Sequence, residues 1–467
     1  MSPPILCTAS QPIWAAQVQV SHYRRDGDPG VLHLGLGAFH RAHQAMVFDR
    51  LLASGDTRWG VHAVGMRQPG LVDALNRQDG LYLVRVADGQ SVQWVVPSAL
   101  WRLSLAATER DRVIQAMSHP ALRWITLTVT EKGYTPELGQ LIAEGLALRS
   151  ARNAPGLTIA SCDNLRGNGR QLGKLVLNGC TTAHARSWIE AHCAFPNSMV
   201  DRIVPASTET LRDTVAGDIG VSDASPLGTE RFWEWVIEDH FADPSDAEVL
   251  RSAGVKVTSE VHVYEDAKLR MLNGSHSAMA IFGAITGRAV ISDCIGHEPI
   301  RRFVTRLMER EVAPHLQRSD WADYRDALIK RFGNPYLRHS VHQIAMDSSQ
   351  KIPQRWPPSV LAQLAAGRGI EHHALAAAAW LRYGLAVNER GEPYEISDPQ
   401  AALLKAIAAS QRAEPNACVE RFLAQPELWG DSLKEQGLWV ERVKAWHARI
   451  LADGMDASID RLLQEVP

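Results

Sequence analysis

The stretch KLRMLNGSH, residues 268–276, sets an amine, an amide and an imidazole close together in a helix-compatible run. An ammonium withdrawn from water and placed near positive charge gives up its proton more readily, so Lys268 could serve as acid and base near neutral pH. An asparagine amide such as that of Asn273 can donate to an oxygen on which negative charge builds. At about 100° per residue, with Lys268 as zero, Glu265 falls near 60°, Leu272 near 40°, His276 near 80° and Asn273 near 140°, so the polar groups share one broad helix face. Past them Ala278, Ile281, Phe282 and Ile285, with Gly274, Gly283 and Gly287, read as a buried helix whose small residues admit a close neighbour. The ordinary alternative is a lysine that snorkels or pairs at the start of such a helix.

A second feature is GLGAFH, which follows the apolar run Val31 to Leu34 and precedes a helical pattern through Met46, Leu51 and Leu52. Gly35 would make the tight turn and Gly37 would let backbone approach a pyrophosphate, with helix amides beyond. His40 stands where the fingerprint has its third glycine. An acid that would hold the ribose of NAD is expected about 20 residues on, where this chain has Met66 and Arg67. Arg67 could face a 2′-phosphate or stack on adenine, so NAD is expected as cofactor and NADP stays open.

Carbonyl reduction also needs a proton donor and stabilisation of charge on oxygen. GHEP, residues 296–299, has the glycine, histidine and glutamate of a zinc dehydrogenase motif but lacks the glycines after it and a nearby cysteine pair, so no metal is expected. YEDAK, residues 264–268, has the tyrosine and lysine spacing of short-chain dehydrogenases, yet it falls far from the glycine turn. Lys268 acting as the acid and base itself is the third chemistry.

These groups need elements to position them. The 467 residues are enough for two or three domains. A net charge of −3 without like-charge blocks suggests neither nucleic acid nor a membrane surface as partner, and leaves a small molecule. Six scattered cysteines without a CxxC pair, and no visible leader, point to a reducing cytoplasm. No apolar window reaches a membrane span. The runs GVLHL, WGVHAVGM, RWITLTVT, GLTIASC and MVDRIVP alternate with helical stretches, predicting an α/β, doubly wound Rossmann-type domain over residues 1–260. VKVTSEVHVY reads as the last strand-like run. After it helical patterns dominate, so residues 261–467 are expected to form a mainly α-helical, substrate-binding domain carrying Lys268.

GLGAFHRAH, TLTVTEKGY, SCDNLRGNG, FPNSMVDRIVP and KLRMLNGSH stand in the order seen in the polyol-specific long-chain dehydrogenases, the mannitol 2-dehydrogenase and fructuronate reductase family. The chain resembles that family over essentially its whole length. The resemblance implies a metal-independent, nicotinamide-dependent exchange between a secondary alcohol and a ketone on a sugar acid or polyol, by a monomeric enzyme. It implies Lys268 as acid and base, and Asn273 as one oxyanion donor. Asn164, which directly follows the strand LTIASCD, is favoured over Asn168 as the other, with Asn168 left to substrate binding. His276 would position the substrate. Glu265 would pass the proton to solvent, and Asp201 would stand behind the residues touching substrate, unless it and Arg202 form a structural ion pair. Gly35, Gly37, Phe39, Arg67, Glu131 and Lys132 would hold the cofactor, although unaided Glu131 and Lys132 read as a solvated turn.

A carboxylate-bearing substrate wants an added cation, preferably arginine. The segment 334–355 holds Arg338, Lys351 and Arg355, with His339 and His342, and looks most like the fructuronate reductase branch. Interconversion of D-mannonate and D-fructuronate is therefore expected, with mannitol or arabinitol dehydrogenation as the rival. Surface charges and a plain helix face are the bland reading of those five residues. A catalytically silent, dinucleotide-binding sensor is the reading from another class.

Overall fold

The computed structural model of the protein describes residues 3–14, 16, 18–430, 433 and 435–466. The chain divides into two compact units, Met1–His262 and Val263–Pro467.

The first unit is built on β1 (Val31–Leu34), β2 (Val61–Gly65), β3 (Leu100–Leu105), β4 (Trp124–Leu127) and β5 (Thr158–Ser161), all parallel in the order β3-β2-β1-β4-β5. Except for β3, these strands are buried along their whole length, which is why they read as apolar runs without a polar face. Successive side chains go to opposite sides. Val31, Ala63, Trp124 and Ala160 join one core with Phe48 and Leu51 of α2 (Gln44–Ala53). Leu32, Val64, Ile125 and Ile159 join another with α3 (Arg110–Met117), α4 (Pro136–Ala151) and α5 (Asn168–Asn178). The sheet is thus covered on both faces, and strand order reverses between β1 and β4, where a ligand crevice opens in such folds.

Three expectations are corrected. The MVDRIVP strand, Ser198–Asp201, lies outside the parallel sheet and pairs antiparallel with Glu234–Glu238 in a separate three-stranded sheet. A four-residue apolar run fixes no partner, so its sheet was not readable. VHVY is helix, α6 (Val261–Ala267), not strand. Its buried positions are Val261, Glu265 and Ala267, and Val261, Glu265 and the following Lys268 fall at i, i+4 and i+7, a helical stripe that the short alternation of apolar residues masked. The helix after the glycine turn breaks at His43 (φ −128°, ψ −88°), leaving a short α1 (Ala38–Ala42) before α2.

The second unit has no β-strand among its described residues. Its central helix is α7 (Gly274–Thr286), buried at every position, as a core helix apolar all round must be. At Gly283 an added Cβ would sit 2.7 Å from both Cys294 Sγ and Val341 Cγ1, so close packing requires the glycine. Trp356, Trp380, Trp429 and Trp439 form an aromatic cluster. The buried Glu311 carboxylate accepts the N–H and Nδ1 of both His372 and His373, closing the start of the helix Glu371–Tyr383. No helix among the described residues is long and apolar enough to cross a membrane.

Candidate active site

In the first unit a cavity of about 990 Å³ opens beside the carboxyl ends of β1 to β4, walled by Leu36, Met66, Arg67, Thr130 and Lys132 among others. Gly35 has φ +99°, and a Cβ there would lie 2.2 Å from the Thr128 carbonyl oxygen. Only glycine makes this turn. Gly37 caps α1 in extended conformation, and an added Cβ would meet nothing of the chain closer than the Gly35 carbonyl at 3.6 Å. The space a side chain would fill is open to a ligand, which is how the fingerprint's second glycine works. His40, in place of the third, stacks on His33 of β1 with ring centroids 3.3 Å apart. His33 is bonded to Thr126 and Thr128 across β4, and burial pushes it down to about 3. A neutral ring stack thus replaces the close helix-to-strand approach that glycine permits.

Of the residues expected to hold a cofactor, Arg67 and Lys132 are on the cavity wall, and Leu36 lies there between the two glycines. Phe39 stacks on His43, centroids 5.0 Å apart. Glu131 is exposed in the 3-10 turn Glu131–Gly133.

That turn depends on a residue sequence reasoning missed. Asp163, just after β5, accepts the N–H of Thr130 (2.8 Å), the N–H of Val129 (3.2 Å) and the Tyr134 hydroxyl (3.2 Å). Thr130 has φ +63° and ψ 169°, a region natural only to glycine, and costs about 1–3 kcal/mol to hold there. Burial pushes the Asp163 carboxyl up to about 6, against the hydrogen bonds it accepts. The available signal was an acid at the end of a parallel strand, immediately before Asn164.

The two asparagines of SCDNLRGNG separate. Asn164 is exposed. Asn168 is fully buried; its amide donates to the carbonyls of Ser198 (2.8 Å), Asp163 (3.0 Å) and Ser161 (3.3 Å) and accepts the Ser198 N–H (2.9 Å). With both donors committed, Asn168 ties β5 to Ser198–Asp201 and has no hydrogen left for a substrate, which corrects the expectation that it binds one. Asp201 is buried. Arg202 gives its guanidinium to the carbonyls of Glu230 and Ala42, so the alternative of an Asp201–Arg202 ion pair does not hold.

In the second unit the helix from Val261 to Thr286 widens to a π-helix over Lys268–Asn273. Hydrogen bonds there close at i→i+5, so the residue one turn on is the fifth rather than the fourth. Asn273 is the fifth after Lys268. The offset near 140° that α-geometry gave is therefore corrected: the inserted residue rotates Asn273 back over the lysine. Glu265 lies three positions before Lys268 and His276 three after Asn273, each one α-turn away, so the four groups form a single stripe. Lys268 and Glu265 are both 7% exposed.

His276 is buried, its Nε2 has no hydrogen-bond partner, and its ring meets those of His339 (5.0 Å) and Phe332 (5.1 Å). Burial holds it well below its ordinary pKa, reinforced by His339, Arg355, Arg331 and Lys351. His339 is likewise lowered to about 4 by burial and then by Lys351, with Nδ1 lacking a bond. His276 thus keeps an unspent nitrogen under the influence of three cations, and the neighbouring His339 keeps another under that of Lys351. Arg331, at the end of the helix Trp321–Phe332, was not anticipated.

Arg355 donates to the Asn273 carbonyl (3.2 Å) and Ser277 Oγ (2.7 Å), bracing the end of the π-turn. Lys351 donates to the carbonyls of Ile344 (3.4 Å) and Met346 (2.5 Å). Arg338 is exposed, and His342 is exposed beside Tyr394, centroids 5.4 Å apart. Neither is gathered with His276. Tyr264 lies under the Arg318 guanidinium, 5.1 Å from its ring centroid.

The sequence profile of the mannitol dehydrogenase Rossmann domain matches residues 29–247, and that of the mannitol dehydrogenase C-terminal domain matches residues 260–451. D-mannonate oxidoreductase of Escherichia coli (strain K12) is 35% identical over 91% of this chain and 93% of its own length. Mannitol 2-dehydrogenase of Pyrenophora tritici-repentis is 35% identical over 95% of this chain and 84% of its own. Among solved structures, Pseudomonas fluorescens mannitol 2-dehydrogenase in ternary complex with NAD and D-mannitol superposes with TM-score 0.88 and 28% identity, covering 98% of this chain and 99% of that one. A glycine turn on a parallel sheet, a lysine-asparagine-histidine stripe and profile matches to both domains lead to one conclusion: the chain belongs to the mannitol dehydrogenase family of oxidoreductases.

Proposed function

We propose that the protein interconverts D-mannonate and D-fructuronate with NAD. The observation that carries this reading is the positive charge of Arg331, Lys351 and Arg355 bearing on the buried, neutral His276. A substrate carboxylate is stabilised by such a cluster, whereas a neutral polyol gains little from it. D-mannonate oxidoreductase and mannitol 2-dehydrogenase relatives are each 35% identical, so identity favours neither substrate. The Gly35–Gly37 turn, Arg67 and Lys132 would hold a nicotinamide dinucleotide, which would supply hydride exchange with the carbinol carbon. The open glycine turn and the 990 Å³ cavity fit a dinucleotide.

The chain's own residues handle the proton. Lys268 takes it from the substrate hydroxyl during oxidation and gives it back to the carbonyl oxygen during reduction, with Glu265 passing it onward. Asn273 donates to that oxygen as charge develops, the role for which the family resemblance also favours Asn164. The unspent Nε2 of His276 holds the substrate. Asp201 supports the site from behind.

A neutral polyol is the second reading. It is favoured by Lys351 and Arg355 donating to the chain's own carbonyls and to Ser277. Assaying purified protein on D-mannonate, D-mannitol and D-arabinitol, each with NAD and NADP, decides between them. The expected outcome is kcat/KM highest for D-mannonate with NAD. A preference for mannitol or arabinitol would overturn the substrate, and a large NADP preference would overturn the cofactor.

A further inference from the structure

We propose that Asp163 is a positioning residue for the nucleotide, whose carboxylate holds the 129–134 turn in the one conformation that shapes the cavity wall. The inference rests on the reading of that cavity as the cofactor site. Val129, Thr130, Lys132 and Gly133 all line it, so the turn is wall rather than surface loop. Thr130 would not keep φ +63° and ψ 169° unaided, because a β-branched residue is strained there. What over-determines it is a pair of N–H donors on consecutive residues converging on one carboxylate. The Tyr134 hydroxyl anchors the far end of the turn on the same group and on Ser161.

The carboxylate must be ionised to accept all three bonds. Protonated, one oxygen becomes a donor facing other donors. With the carboxyl near 6, the change falls where affinity can be measured. The groups facing it are the Tyr134 hydroxyl and the Cys162 thiol, both pushed upward by burial and so neutral in this range, and the Glu131 carboxylate, whose charge adds to the upward push. Neither neutral group supplies the step.

The test is equilibrium binding of NADH, followed by its fluorescence from about pH 7.5 down to about pH 5. The expected result for the unaltered protein is a Kd that rises as pH falls through about 6. Asp163→Asn should bind about tenfold or more weakly at neutral pH and lose the step, since an amide turns a donor toward one of the N–H groups. Adding Thr130→Gly to that variant should restore much of the affinity, because glycine takes this conformation without being held. Restoration separates positioning from a general loss of folding. A pH-independent Kd in the unaltered protein, or unchanged affinity in Asp163→Asn, would overturn the inference while leaving the cofactor reading standing. Failure of the unaltered protein to bind NADH or NADPH at all would remove both.

Discussion

Lys268 carries the proposed proton transfer, and its removal should be felt in turnover more than in binding. Lys268→Ala is expected to lower kcat by about 10²–10⁴-fold, the usual worth of a positioned acid or base, while NADH still binds the other unit. Pre-steady-state and binding measurements on the same preparation check both halves; near-normal turnover would leave the amine a structural role. Lysine, asparagine and histidine were legible because residue type and order survive in a linear string. Asp163 and Arg331 were not. What an acid accepts depends on which distant N–H groups fold against it, and nothing near Asp163 in sequence announces residues 129 and 130. Asn168 shows the converse: the family resemblance left it to the substrate, and only its four backbone contacts reveal a clamp.

Among the elements, that clamp makes a prediction of its own. Asn168→Ala leaves the Ser198 N–H and the carbonyls it served without partners in the core, a loss of about 2–5 kcal/mol by analogy with other buried networks. For a unit of this size that amounts to a melting midpoint lower by roughly 5–15 °C. The KM for substrate should be unchanged in the protein that stays folded, and a selective rise in KM would return Asn168 to the substrate. The parallel strands were readable as apolar runs because both their faces are buried. The Ser198–Asp201 strand and α6 were misplaced because short runs carry neither partner nor period. The π-turn was invisible for a related reason, since helical projection assumes a constant angle and an inserted residue changes it.

For the whole molecule, the buried histidines dominate the acid response. His33 is lowered to about 3 and His62, His339 and His447 to about 4, each chiefly by burial, and His40 and His276 lie well below their ordinary value. The unfolded chain binds a proton on each near pH 6.5 and the folded chain does not. Their contribution is therefore intact above about 6.5 and is lost as pH falls toward the folded values, by up to about 1.4 kcal/mol per unit for each. The raised carboxyls of Asp163, Asp223 and Asp246 act in the opposite sense, but they are fewer. Thermal melting at about pH 7.5 and about pH 5.5 is expected to give a clearly lower midpoint in acid, and equal midpoints would contradict the balance. The widened turn at Lys268–Asn273 also limits how this chemistry can be moved to another scaffold. Copying a lysine, an asparagine and a histidine onto a regular helix at the same separations would swing the amide a quarter-turn or more off target, so a transplant must carry the surplus residue with them.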